Sequence, residues 1–175
     1  MKAAKGRRRA RRLFPGWCLM LGILLLAGCS IPEGGFSWKL RGFEVHSFTV
    51  DGEEIDMRLD TSGFGRYEVE LLEDGTIRTT RDGSVVLEGF FISAEECMDW
   101  MTQAQADPDC AVIQYTPGEV PVCMLYYYET EEEAGYVLLS MIDGSGLGAA
   151  FAVLDGDTDE AALDCAQRLQ FTKRV

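Results

Sequence analysis

The sequence predicts an α+β domain, a three-layer α/β/α sandwich with a mainly antiparallel sheet, spanning residues 36–175 after an N-terminal signal peptide. Three observations carry this prediction. Residues 122–128 are apolar at both parities, so a strand made from them has two dry faces. Two amphipathic helical stretches, one from Ala94 and one from near Asp157, flank the strand-rich region and supply a layer for each face. Turn residues separate the apolar runs at short intervals, which favours antiparallel hairpins.

The chain starts with a basic stretch holding Lys2, Lys5, Arg7, Arg8, Arg9, Arg11 and Arg12, followed by an apolar run from Leu13 to Leu26 and two small residues. That is the three-part form of an export signal. An apolar span of roughly 15 residues is shorter than the ~20 that cross a bilayer as a helix. The positive charge ahead of it keeps that end cytoplasmic and sends the remainder outward. Leu26-Ala27-Gly28-Cys29 resembles a bacterial lipobox. The resemblance implies cleavage between Gly28 and Cys29, a diacylglyceryl group on the Cys29 thiol, and a mature chain held to a membrane by lipid. Arg11-Arg12-Leu13-Phe14 also resembles the core of a twin-arginine signal, so the export route stays open, and Ser30 fits either a one-membrane or a two-membrane envelope. The expected organisation is a signal peptide at 1–28, a lipidated tether at 29–35 and one globular domain at 36–175.

Cleavage removes seven of the 16 Lys and Arg and none of the 29 Asp and Glu, leaving nine cations against 29 anions and a formal charge of −20. A field of that sign repels nucleic acid and anionic lipid and attracts cations, basic peptides and positively charged wall components. It also keeps an exported domain soluble. About 140 residues follow the tether, enough for one domain with a real core.

Ile55 to Leu59 and Tyr67 to Leu71 alternate apolar and charged residues, as strands with one wet face do, and are expected at a sheet edge or in a small outlying hairpin. Asp74-Gly75 and Asp82-Gly83 bracket Thr76 to Thr80 and lead into Val85 to Ile92, a meander. Ser93 and Glu96 form a capping box that opens a helix from Ala94 to about Ala106, with Cys97, Trp100, Met101 and Ala104 on its core stripe. Strand-like runs follow at Val112–Tyr115, Val120–Tyr128, Tyr136–Ile142 and Leu147–Leu154, and Pro121 marks the second as an edge or bulge at its start. Asp157 and Glu160 are expected to cap a last helix whose stripe is Ala162, Cys165, Ala166 and Leu169. This order of elements from Tyr67 to Phe171, closing on Ala166-Gln167-Arg168-Leu169-Gln170-Phe171, is similar to the PsbP-like fold of small exported lipoproteins. The resemblance implies a binding or accessory module more than an enzyme.

Catalytic and metal motifs are sparse. His46 is the single histidine, sits in a strand-like segment, and has no Gly-x-Ser-x-Gly nucleophile elbow to serve. Gly144-Ser145-Gly146-Leu147-Gly148 follows a strand but lacks the βαβ context of a dinucleotide site, so it reads as a hairpin turn. Asp155, Asp157 and Asp159 resemble the opening of a calcium loop, with Glu160 and Ala166 where an EF-hand needs Gly and Glu. They are kept as candidate ligand or cation contacts, with no metal site expected. Cys97, Cys110, Cys123 and Cys165 allow three pairings and contain no Cys-x-x-Cys, and their apolar positions favour free thiols. The expectation is a non-enzymatic, cofactor-free domain that binds a protein or cell-envelope partner. The alternative is a small-solute or cation receptor with Tyr126, Tyr127, Tyr128 or the 143–148 loop lining its pocket.

Overall fold

Among the described residues the strands pair into two antiparallel sheets, and two helices interrupt them in sequence. A computed structural model describes residues 33–40, 42–63, 65–117, 121–130 and 133–174. The signal segment, Gly28, Cys29 and Val120 lie outside the described residues. The strands are β1 (Glu33–Leu40), β2 (Phe43–Val50), β3 (Glu53–Asp60), β4 (Tyr67–Leu71), β5 (Ile77–Arg81) and β6 (Ser84–Ser93). Helix α1 (Ala94–Ala106) leads to β7 (Cys110–Tyr115), β8 (Cys123–Glu129), β9 (Ala134–Met141) and β10 (Leu147–Val153), and helix α2 (Asp159–Gln167) leads to β11 (Leu169–Lys173). The fold is therefore α+β and rich in antiparallel sheet. No helix among the described residues is long and apolar enough to cross a membrane.

The larger sheet has seven strands in the order β4-β5-β6-β10-β9-β8-β7. The meander β4-β5-β6 forms one side, α1 carries the chain across to the far edge at β7, and the series β7-β8-β9-β10 returns until β10 closes against β6. Closure puts β10 at the centre, and all seven of its residues are buried. Two-residue turns at Asp51-Gly52 and Asp82-Gly83 have positive φ at both positions (51° and 79°, 51° and 80°), the geometry that matches the twist of a tight hairpin.

The smaller sheet has the order β1-β2-β3-β11 and packs against the larger one. Its inner face presents Phe48, Ile55, Met57, Leu59 and Phe171 to Phe91, Leu125, Leu138 and Phe151. Ring pairs cross the interface: Phe48 with Phe91 at 5.7 Å, Phe91 with Phe171 at 5.9 Å, and Phe151 with Phe171 at 5.4 Å between centroids. Such tilted and edge contacts are the arrangement aromatic quadrupoles prefer. Helix α2 adds Ala162, Cys165 and Ala166 to this core. On the opposite face of the large sheet α1 covers Phe90, Met124, Leu139 and Ala150 with Cys97, Met101 and Ala104.

Several expectations change. Ile55 to Leu59 is an inner strand of a second sheet, because one-sided alternation serves a sandwich layer as well as an outlying hairpin. The layer opposite α1 is thus built mainly by four strands, with α2 joining its core. The last helix is capped by Thr158, whose hydroxyl accepts from the Ala161 amide at 3.3 Å, and not by Asp157. It stops at Gln167, and Leu169 to Lys173 pairs with β3 as a strand. The box at Ser93 forms as expected: Ser93 Oγ accepts from the Glu96 amide at 3.2 Å and Glu96 accepts from the Ser93 amide at 3.1 Å. Strand β1 begins at Glu33, inside the stretch expected to be tether.

Candidate functional site

Small residues on β10 set up a slot beside α1. Gly148, Ala150 and Ala152 alternate along the face that α1 covers. Gly148 lets the helix approach: a Cβ there would stand 2.6 Å from Cys97 Cβ. One and two alternations further on, Ala150 and Ala152 lie beside Val137 of β9 and form a low floor.

The walls come from three elements. Trp100 sits at the margin of the α1 stripe, half-buried, and meets Phe90 of β6 edge to face at 6.2 Å and 84°. Tyr128 of β8 forms the opposite wall. Its cross-strand partner is Gly135, where a Cβ would come within 3.3 Å of the tyrosine ring and hydroxyl, so the absence of a side chain lets the ring lie over the strand. Glu133 closes one end. Its backbone is pinned by Thr130, whose amide donates to Glu133 O at 2.8 Å and whose Oγ1 accepts from the Glu133 amide at 3.1 Å. The Glu133 Oε2 is buried and accepts no hydrogen bond among the described residues. The slot holds about 20 Å³ of free space.

Its electrical surroundings are negative. Burial, and then the Glu133 charge, push the Tyr128 phenol up to about 12, so it is a neutral hydroxyl at physiological pH. Burial also raises Tyr126, with Cys110, Tyr128 and Asp107 adding to it. Helix α1 ends without a basic residue in its last turn and is followed by Asp107 and Asp109. The partial negative charge of its C-terminus is therefore reinforced by carboxylates, the reverse of the usual compensation.

A second cleft, of about 170 Å³, lies between β1, β2 and β4 and is lined in part by Ser37, His46, Phe48, Val69 and Leu71. His46 Nε2 stands 3.4 Å from Oε2 of Glu44, a buried carboxylate whose other oxygen meets Lys39 Nζ at 2.7 Å. Burial lowers the imidazole pKa, against the opposing pull of Glu44, so the ring is neutral at pH 7.

The structure places the sequence candidates unevenly. Tyr128 lines the slot. Tyr126 packs into the core under α1, and Tyr127 turns to the other face against Tyr136, at 5.1 Å between ring centroids. The 143–148 loop ties back on itself, with Ser145 Oγ donating to Ile142 O at 2.9 Å and Gly146 O accepting from the Ala94 amide at 2.8 Å; it lines neither cavity. Asp155 pairs with Arg81 at 2.5 Å, Asp159 accepts from Tyr136 Oη at 2.8 Å, and Asp157 is exposed. Two of the three carboxylates thus have protein partners, and no metal-holding group of three or more His, Cys, Asp or Glu occurs among the described residues. Cys97, Cys110 and Cys165 are free thiols, and Cys123 Sγ lies 3.2 Å from Ser140 Oγ. Sequence reasoning missed Trp100 as a wall, Gly135 and Glu133, because their roles depend on which strands pair. Comparisons with protein-family models, with curated proteins and with solved structures found no match to this chain.

Proposed function

We propose that this chain is an exported, non-enzymatic lipoprotein, anchored to a bacterial membrane through lipid on Cys29, whose acidic domain binds a protein partner in the cell envelope. The lipobox-like Leu26-Ala27-Gly28-Cys29 supports the anchor. Three residues, Ser30 to Pro32, separate Cys29 from Glu33, a reach of about 14 Å at most over four residue steps, so β1 and its sheet stand next to the membrane. The slot lies on the face of the large sheet opposite the smaller sheet, beneath α1. The PsbP-like element order fits the same reading of a binding module, by analogy.

The observation that carries the binding reading is the slot, with a Glu133 oxygen that has no hydrogen-bond partner among the described residues. Pockets for small ligands usually hold ~300–1,000 Å³. A slot of about 20 Å³ has room for little more than one water, so it suits the tip of a partner's side chain and not a free solute. Single side chains seated in desolvated aromatic pockets dominate many protein interfaces. Substituting Cys29→Ala tests the anchor: the precursor is expected to stay uncleaved and to lose the mass of the lipid. A processed, detergent-partitioning Cys29→Ala chain would refute it. Crosslinking in cells is expected to recover one defined envelope protein, and repeated recovery of none would remove the partner claim.

One feature favours a second reading, a small-solute receptor. The cleft beside His46 has about 170 Å³, room for several waters or one small solute, and polar groups from Ser37 and His46. A thermal-unfolding screen of the full chain against amino acids, sugars, polyamines and calcium tests it. A ligand at 100 times its Kd adds about 2.7 kcal/mol, a visible rise in midpoint.

A further inference from the structure

Side chains alternate along β2 and β3, so with Phe48, Ile55, Met57 and Leu59 in the sandwich core, Phe43, Val45, Arg58 and Asp60 stand on the outer face of the small sheet. Trp38 of β1 joins them, because the register runs from Trp38 through Val45 to Arg58 across three strands. Trp38 meets Phe43 edge to face at 5.8 Å between centroids, and the Arg58 guanidinium carbon lies 4.0 Å from the centre of the Phe43 ring. Val45 is buried in their midst although it points away from the core. Trp38 and Phe43 are half-buried and Arg58 is exposed, so the patch offers two rings and a cation to the outside. Asp60, on the same face, is engaged by the Ser62 amide at 2.7 Å, which leaves the guanidinium edge open to an outside anion.

We infer that this face lies flat on the bilayer surface, with the Trp38 and Phe43 rings at the level of the headgroups and Arg58 donating to lipid phosphates, an inference that rests on the anchor reading above. Trp38 lies five residues beyond Glu33 on the same edge strand, about 17 Å at ~3.3 Å per residue. The lipid on Cys29 and the aromatic patch would thus hold the two ends of β1, where the tether alone would leave the domain free to pivot. Tryptophan favours the membrane interface, and a guanidinium resting on a ring keeps its N–H groups for phosphate oxygens. Charge selects the same face. Its outward charges are Arg58 and Arg174 against Glu54, Asp56 and Asp60, a net −1, and Arg174 already pairs with Glu54 at 3.4 Å and Asp56 at 2.6 Å. The described residues between 61 and 167 hold three cations, Arg66, Arg78 and Arg81, against 19 anions, a net −16. An anionic surface repels that half of the molecule and accepts the near-neutral face. Packed sheets stand ~10 Å apart, so a small sheet lying flat keeps the acidic half about one Debye length from the lipid.

Fluorescence quenching tests the inference on the processed, lipidated chain, in vesicles of phosphatidylcholine with a minor share of phosphatidylglycerol, with and without bromine near the glycerol end of the acyl chains. Processing removes Trp17, so Trp38 and Trp100 are the reporters. Trp38 in the Trp100→Phe chain is expected to lose at least half of its emission to brominated lipid, and Trp100 in the Trp38→Phe chain less than one tenth. Should Trp100→Phe lower Tm, the difference between the wild type and Trp38→Phe gives the Trp38 value. Arg58→Gln is expected to reduce the quenching of Trp38 twofold or more. Arg66→Gln, which removes an exposed cation paired with Glu68, is expected to change it by less than one fifth. Equal quenching of the two tryptophans, or equal losses for the two arginine variants, would overturn the assignment. An unquenched Trp38 that is also shielded from acrylamide would put a protein, such as a second copy of this chain, on the patch and overturn the lipid surface. A chain that floats with the vesicles yet leaves Trp38 unquenched keeps the anchor and refutes the face, whereas a chain that does not float overturns both.

Discussion

Adding one methyl group at Gly148 tests whether α1 is seated on the sheet as described. The new Cβ of Gly148→Ala would lie 2.6 Å from Cys97 Cβ, 2.8 Å from Cys97 Sγ and 3.3 Å from Ser140 O. Non-bonded carbons rest at ~3.5–4.0 Å, so the helix must lift by about 1 Å. Cys97 and Met101 are almost fully buried, so the lift opens packing along the whole stripe. Overpacking of this kind costs ~1–3 kcal/mol, and in a domain of this size Tm falls by roughly 3–9 °C. Cys97→Gly alone destabilises too, by about 1 kcal/mol for glycine in a helix plus the lost burial of the thiol. In the double variant the two atoms responsible for the clash are gone. The losses are then expected to be less than additive, with a coupling of ~1–3 kcal/mol. Urea unfolding of the four chains, followed by circular dichroism, gives the cycle directly. Additivity within about 0.5 kcal/mol would show that α1 does not rest on Gly148 through Cys97 and would refute the packing argued here.

Two further outcomes follow from buried titratable groups. Because burial holds the folded His46 pKa below its unfolded value of 6.5, the unfolded chain takes up the proton first. The neutral ring's contribution to stability is complete above pH 6.5 and is lost as pH falls toward the lower folded value; urea midpoints should therefore drop from pH 8 to pH 5 more steeply in the wild type than in His46→Gln, and parallel profiles would contradict this. Burial pushes the Cys97 and Cys165 thiols up to about 12, so native chains treated with iodoacetamide at pH 8 should be alkylated at half-buried Cys110 before either of them. Peptide mass spectrometry reads the order, and early modification of Cys97 would contradict the closed α1 interface.

Much of the fold was legible where a local rule decides the outcome. The Ser93–Glu96 box, the Asp82-Gly83 turn and the double-sided apolar runs at 122–128 and 147–153 each carry their structure within a few residues. What failed was the assignment of partners. Ile55 to Leu59 has one dry face, and nothing local says whether that face meets a helix, a loop or another sheet. Leu169 and Phe171 lie two apart and both point into the core, but three or four residues of alternation at the end of a helical stripe are too short to override it. The same limit hid the slot. Trp100 obeys the helical stripe, and only the register shows that it stands over alanines; Tyr128 is one of three consecutive tyrosines until Gly135 is found opposite it. The motif at Cys29 is contiguous and so can be proposed from sequence, whereas Glu133 lies in an acidic loop that offers no such pattern.

Photocrosslinking in intact cells tests the central claim most directly, with a photoreactive residue placed at 133 in one chain and at 143 in another. A membrane-anchored binding module that works through the slot predicts a single dominant adduct with an envelope protein from position 133, little or none from position 143, and loss of the adduct when Trp100→Leu is added. The absence of any adduct from 133, or equal labelling from 133 and 143, would contradict it.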